Sequence, residues 1–287
     1  MARLQIFLIR MVLLVFRILP ENTAMCLGRW IGLLWFHVIR YRRRLVMTNL
    51  RLAFSHEKTE DQIRETARKN FIHYGLYLAE FLRLPGMSEK ALEEKIRILD
   101  VSHIQTALSK GKGVIVICGH YGNFDLMAIA QSMAGFDSHI ITKKIRNKTV
   151  NDYWQGIREA KGVNFLPKKN AMFTILRLLK KNNIVVMIFD QHMGKNKGVR
   201  VNFFNRPAST MKAVAMIALK TGTPVVPIFN WREDNRHYLT SGPEIPLVQG
   251  TSKEETIRLS TQRFNDVLEA FIRKHPEQWT WIHRRWK

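Results

Sequence analysis

Residues 119–125, Gly119-His120-Tyr121-Gly122-Asn123-Phe124-Asp125, gather a titratable imidazole, a carboxylate and two glycines into one short stretch. A histidine steadied by a carboxylate is a general base. The carboxylate fixes the tautomer and stabilises the imidazolium that forms when the ring takes a proton. The glycines permit tight turns that would fold Asp125 back on one ring nitrogen of His120 and leave the other free. HxxxxD spacing arises often by chance, and a lone histidine in a loop is more often a hydrogen-bonded structural residue. Position distinguishes this one. It follows VIVIC (114–118), an apolar run between Gly113 and Gly119 with the pattern of a buried strand. Open α/β sheets place ligands beyond the carboxyl ends of such strands. Cys118 closes the run, and a buried strand cysteine, not a nucleophile, is the expectation.

The elements around this segment alternate. A capping box, Thr59-Glu60-Asp61-Gln62, opens a helix carrying Ile63, Ala67, Phe71, Tyr74, Leu78 and Phe81 and stopped by Pro85 and Gly86. Residues 124–134 read as helix and SHIIT (138–142) as strand. Thr149 to Asp152 caps a helix ending near Gly162, and a further helix near 170–181 precedes the strand IVVMIFD (184–190). VRVNFF (199–204) reads as strand, 209–221 as a helix stopped by Gly222 and Pro224, and PVVPIFNW (224–231) as strand. A second capping box, Ser252 to Glu255, opens a long helix to about Lys274. Strands alternating with helices predict an α/β fold with a central, mostly parallel sheet flanked by helices.

Charge narrows the partners. The 287-residue chain has 46 Lys and Arg against 23 Asp and Glu, a net charge of +23. Such a field attracts nucleic acid, anionic membrane, an acidic carrier protein or a phosphorylated substrate. No helix-turn-helix, zinc-finger or RNP-type pattern supports a nucleic-acid-binding protein, which stands as the alternative of a different class. Two cysteines, Cys26 and Cys118, have no metal spacing and build no disulfide scaffold. No metal and no cofactor are expected.

The N-terminus leans towards a membrane. Residues 4–19 and 27–39 are apolar, but Arg10 and Arg17 interrupt the first run, which falls short of a comfortable spanning length. It fits an interfacial helix or a short span with snorkelling arginines. A signal peptide fits poorly, since arginines sit in its apolar region and no A-x-A site follows. A buried amphipathic helix pair is the plain alternative. Trp30, Trp35 and Tyr41 beside Arg40, Arg42, Arg43 and Arg44 form an aromatic and basic interface pattern, with the basic cluster on the cytoplasmic side. Residues 1–45 are thus expected to anchor the chain at the inner membrane, with residues 46–287 as the catalytic domain facing the cytoplasm.

GHYGNFD resembles the HxxxxD/E motif of glycerolipid-type acyltransferases. More specifically, the chain resembles the late acyltransferases of lipid A biosynthesis, the lauroyl and myristoyl transferases of Gram-negative bacteria. The likeness extends to KIRNKTVNDYWQGIREAKG (144–162), DQHMGKNKGVRVNFFNRPAST (190–210), TGTPVVPIF (221–229) and PEQWTWIHRRWK (276–287). It covers nearly the full chain, in order. Many members have Glu where Asp125 stands, and Asn205 stands where Gly often follows FF, a position that shapes the pocket in this reading.

The resemblance implies transfer of a fatty acyl group from acyl carrier protein, or coenzyme A, to a hydroxyl of a lipid A precursor. Another lysophospholipid or an aminolipid is the alternative acceptor. His120 would take the hydroxyl proton and Asp125 would hold the ring. Arg158, in the family's arginine position, would stabilise the oxyanion, with backbone N–H groups near Gly122 and Asn123 as alternative donors. Asp190 and Gln191 would support the substrate site. Lys143, Lys144, Arg146, Lys195, Lys197 and Arg200 would hold acceptor phosphates, against the plainer reading of a solvated charged face. Trp279, Trp281 and Trp286, with Arg284 and Arg285, would pack on the body rather than touch membrane.

Overall fold

The computed structural model describes residues 11–142, 147–167 and 171–287. Its contacts divide the chain into two compact units, Met1–Lys95 and Ile96–Lys287. The division falls far beyond the expected boundary at residue 45, because the helices that follow pack with those before it.

In the N-terminal unit, helix α1 is described over residues 11–18. Then come α2 (Glu21–Leu34), a π-helical turn (Trp35–Ile39), α3 (Arg43–Phe54), α4 (Glu60–Arg83) and α5 (Glu89–Lys95). The expected capping box opens α4: Gln62 N–H donates to Thr59 Oγ1 at 3.3 Å, and Thr59 N–H donates to Gln62 Oε1 at 2.9 Å. Ile63, Ala67 and Phe71 are buried as predicted, whereas Leu78 is 40% exposed. Glycines set how closely α2 and α4 cross. A Cβ on Gly75 would lie 2.0 Å from the Gly28 carbonyl oxygen, and one on Gly32 would lie 2.4 Å from that of Phe71. Backbone therefore meets backbone at the crossing, with the buried Met25, Leu76 and Ala79 packed beside it. Lys95, buried, holds Glu21 at 2.6 Å and the buried Glu80 at 3.5 Å. Among the described residues, no helix is long and apolar enough to cross a membrane.

The second unit is built on a seven-stranded sheet of order β1-β9-β8-β2-β5-β3-β4. Its strands are β1 (Ile96–Asp100), β2 (Val114–Cys118), β3 (Ser138–Thr142), β4 (Asn164–Pro167), β5 (Ile184–Ile188), β8 (Val225–Glu233) and β9 (Arg236–Ser241). All pairs are parallel except β8 with β9. Helices α6 (Ser102–Leu108), α7 (Phe124–Met133), α8 (Lys148–Glu159), α9 (Ala171–Lys180), α10 (Ala213–Thr221) and α11 (Lys253–Ile272) flank it. This is the predicted mostly parallel α/β sheet. Every residue of β2 is buried, because both faces of a central parallel strand are covered.

Several local expectations shift. Helix α8 is capped by Asn147, whose Oδ1 accepts from Val150 N–H at 3.2 Å, so the cap lies before Thr149. Residues 206–211, partly assigned to a helix, form strand β7 (Arg206–Met211), which makes a separate antiparallel hairpin with β6 (Gly198–Phe203). The linking pair Phe204-Asn205 has φ of 53° and 55°, a tight turn of the kind that suits strand twist. Asn205 therefore answers to turn geometry, where Asn tolerates a left-handed backbone almost as Gly does, rather than to pocket shape.

Candidate active site

His120 is placed by strand register. β2 and β5 pair in parallel from Val114 opposite Ile184 to Cys118 opposite Ile188. Carried two residues past the strands, that register sets His120 beside Asp190. His120 Nδ1–H donates to Asp190 Oδ1 at 2.7 Å, and His120 N–H donates to Asp190 Oδ2 at 2.7 Å. Trp279 Nε1–H adds a third bond to Asp190 Oδ2 at 2.8 Å. Burial alone would push the Asp190 carboxyl up. The His120 ring and the N–H donors outweigh it and hold the group below the usual carboxylate range. An ionised Asp190 only accepts, so the ring proton sits on Nδ1 and Nε2 carries the lone pair.

Asp125 does not have the role expected of it. It lies in the first turn of α7 and forms a buried ion pair with Arg158 of α8. The carboxylate on His120 Nδ1 is Asp190, so the five-residue spacing that suggested a His120–Asp125 pair is a local coincidence of loop and helix start. Asp125 gains from the positive end of the helix as well as from the guanidinium. Arg158 lies over the rings of Trp154, at 4.6 Å, and Phe165, at 5.4 Å. Its Nε–H is buried and has no hydrogen-bond partner among the described residues.

The loop between His120 and α7 is held from below. Asn123, expected to bind substrate, is the cap of α7: its Oδ1 accepts from the N–H groups of Asp125 and Leu126, each at 3.1 Å. Gly122 has φ +58°, and a Cβ there would lie 2.5 Å from Asn230 Nδ2. Its N–H, expected as an oxyanion donor, is bonded to the Gln278 carbonyl at 3.0 Å. The segment 276–287 straps this region. Thr280 donates through both N–H (3.0 Å) and Oγ1 (2.7 Å) to the His120 carbonyl. Trp279 and Trp281 are buried, in keeping with the packing expected of them. Arg285 donates to the Ser209 carbonyl at 2.8 Å and to Thr210 Oγ1 at 2.5 Å, and burial lowers its pKa to about 10.

His120 opens on a cavity of about 490 Å³, in the range of sites that enclose a small molecule or chain. Phe124, Met127, Ile140, Trp154, Phe165 and Met187 give it an apolar lining. Asp125, Thr142, Arg158, Gln191 and His192 are its polar members beside His120. Burial, then the charges of Lys287 and Arg285, hold His192 below the usual imidazole range, which keeps it neutral. Cys118 is buried, and burial followed by the Asp190 charge raises its thiol far above the usual value, so no thiolate forms there.

The basic residues expected around the site divide. Lys143, Lys144 and Arg146 lie outside the described residues. Arg200, Lys195 and Lys197 are exposed on the β6 side and do not line the cavity. Asp190, expected to support a substrate site, supports the histidine instead and is not part of the lining. Residues missed in the sequence are His192, His283 and the Trp279 donor. The block PEQWTWIHRRWK was visible, but nothing in it shows that its Thr280 and Trp279 donors reach the His120 carbonyl and Asp190.

The family model described as bacterial lipid A biosynthesis acyltransferase matches residues 1–287. Similar proteins include a lipid A biosynthesis acyltransferase of Haemophilus influenzae, 24% identical over 96% of this chain and 84% of its own. A lipid A biosynthesis lauroyltransferase of Escherichia coli is 25% identical over 94% of this chain and 87% of its own. A phosphatidylinositol mannoside acyltransferase of Mycolicibacterium smegmatis is 24% identical over 76% and 71%.

Proposed function

The chain belongs to the bacterial lipid A biosynthesis acyltransferase family, and we propose that it moves a fatty acyl group from an acyl carrier protein thioester to a hydroxyl of a lipid A precursor, with His120 as the base. As a member of that family it is an O-acyltransferase, and acyl transfer to lipid A or a related glycolipid is the broader statement the relatives support. The relatives named for phosphatidylinositol mannosides favour a second acceptor, another membrane glycolipid, over a lysophospholipid or an aminolipid.

One observation carries the reading: an imidazole anchored through Nδ1 to a buried, ionised carboxylate, at the edge of an apolar cavity. A sugar hydroxyl is a poor nucleophile. As its oxygen attacks the thioester carbonyl carbon, His120 Nε2 takes the proton and Asp190 stabilises the imidazolium. Collapse of the tetrahedral intermediate breaks the C–S bond. The imidazolium returns its proton to the departing sulfur, leaving an ester and a free thiol. We assign the Nε–H of Arg158, which has no partner among the described residues, as a donor to the developing oxyanion, because a buried donor without a partner can be satisfied by a ligand oxygen. The apolar lining takes the acyl chain. The net positive charge suits an acidic carrier protein and phosphate-bearing lipid.

We also place the chain at the inner membrane, with the catalytic unit facing the cytoplasm. Ile18, Trp30, Val38 and Ile39 are exposed on the N-terminal unit, and the exposed Arg40, Arg42 and Arg44 follow directly. That combination fits a face resting in the headgroup layer of an anionic bilayer. Flotation of the full chain with anionic vesicles, lost in a Trp30→Ser, Val38→Ser variant, is the expected result; equal flotation of both removes this face from the account.

The function is tested by lipid mass spectrometry after deletion and complementation. The expected result is loss of one acyl chain from lipid A, restored by the wild type and not by His120→Ala. In purified form that variant should lose about 10²–10⁴-fold in kcat. Near-normal turnover would refute the base, and an intact lipid A with an altered glycolipid would move the acceptor.

A further inference from the structure

The amide of Gln191 sits unusually against the His120 ring. Its Nε2 is 3.4 Å from His120 Nδ1 and 3.3 Å from His120 Nε2. A point so nearly equidistant from both nitrogens lies over the face of the imidazole, because in the ring plane it would collide with Cε1. It is therefore off the axis of the Nε2 lone pair, and that lone pair is left for a substrate proton. The same amide nitrogen is 3.0 Å from Nε2 of His283, to which it donates. That bond places the His283 proton on Nδ1.

His283 is carried there by the strap. Thr280 fixes one end of the approach on the His120 carbonyl, and Arg285 fixes the other on Ser209 and Thr210. The His120 and His283 rings lie 6.0 Å apart, too far to bond directly, with the Gln191 amide between them. Phe124 meets the His120 ring edge-on, with centroids 5.7 Å apart. Asp190 fixes one in-plane nitrogen, but a hydrogen bond at a single atom leaves the ring free to tilt about that bond. A contact on the ring face removes the freedom.

We propose that Gln191 and His283 form a positioning clamp, in which His283 holds the Gln191 amide on the face of His120 and so keeps Nε2 aimed into the cavity. Neither residue takes the proton. The clamp rests on His120 being the base, and it adds the means by which that ring is oriented. Its cost when lost is that of a misaimed catalytic group, about 10–100-fold in turnover.

The experiment is a double-mutant cycle on the purified full chain, with the lauroyl thioester of acyl carrier protein as donor and a lipid A precursor as acceptor. Gln191→Ala and His283→Ala should each lower kcat by about 10–100-fold with KM within about twofold, and the double variant should be no worse than the poorer single one. His283→Gln, which offers an acceptor at a similar reach, should recover most of the loss, whereas His283→Leu should not. Independent losses that multiply in the double variant, a rise in KM alone, or wild-type turnover in His283→Ala each overturn the clamp. His120→Ala is run alongside. If it stays active the base assignment falls; if it is inactive while His283→Ala is normal, only the clamp falls. A second readout needs no substrate. In proton spectra of ¹⁵N-histidine protein, the low-field His120 Nδ1–H signal should be sharp in the wild type and broadened in both single alanine variants. An unchanged signal in folded variants would also overturn the proposal.

Discussion

The start of α7 and the end of β5 each bring a buried aspartate to the surroundings of one histidine, and they use it differently. Asp125 and Asp190 are both 2% exposed. Asp125 is neutralised by a guanidinium stacked on aromatic rings, a strong, fixed charge pair. Asp190 has no direct guanidinium or ammonium partner among the described residues: two of its three donors come from His120, the third is Trp279, and the Arg285 charge acts on it only from further off. Two carboxylates of equal burial therefore do unlike work. One holds α8 against α7 and shapes the cavity wall; the other holds the His120 ring at Nδ1.

That contrast can be broken in kinetics first. Asp190→Asn keeps the shape but removes the charge that matches the imidazolium and permits the wrong tautomer. A loss of about 10⁴-fold in kcat is expected with KM little changed, and a loss below tenfold would show that the ring is held by other means. Asp125→Asn should act on stability before chemistry, because it strands a buried Arg158. A cost of about 3–5 kcal/mol in denaturant unfolding is expected, with much of it recovered when Arg158→Met is added. Failure of the second substitution to recover stability would place the cost elsewhere. The smallest effect is in pH. Asp190 has a folded-state pKa below its unfolded value, so its contribution to stability is present above the ordinary carboxylate range and is lost as pH falls through the folded value. The Tm gap between wild type and Asp190→Asn should be widest near neutrality and close in acid. A gap that widened in acid would reverse the sign.

Much of this architecture was legible in the residues. VIVIC, SHIIT and IVVMIFD became central parallel strands because apolar runs bounded by Gly and polar turns have few other fates. His120 was found by its place after the best of those strands. Its partner was not, because HxxxxD offered a nearby carboxylate while the true one is 70 positions away. Separation in sequence hides what register makes adjacent: only the pairing of Cys118 with Ile188 reveals that 120 and 190 share a ledge. The hairpin strand β7 was missed for a similar reason. RPASTM has no alternation of apolar and polar residues to announce a strand, and its partner β6 supplies the order. Gln191 was named from its place after IVVMIFD, but His283 was hidden in the strap, whose aromatic residues suggested packing and whose route over the histidine loop nothing local foretold.

The shared ledge has a consequence for how such a chain diversifies. Because hydrogen bonds between β2 and β5 fix the His120–Asp190 pair, the long excursion between them is mechanically excused from that duty. It is this excursion that contributes Met127, Ile140, Trp154 and Phe165 to the cavity. Insertions, deletions and side-chain exchanges there remodel the cavity while the histidine keeps its seat. Selection can thus retune what is carried without relearning how it is transferred.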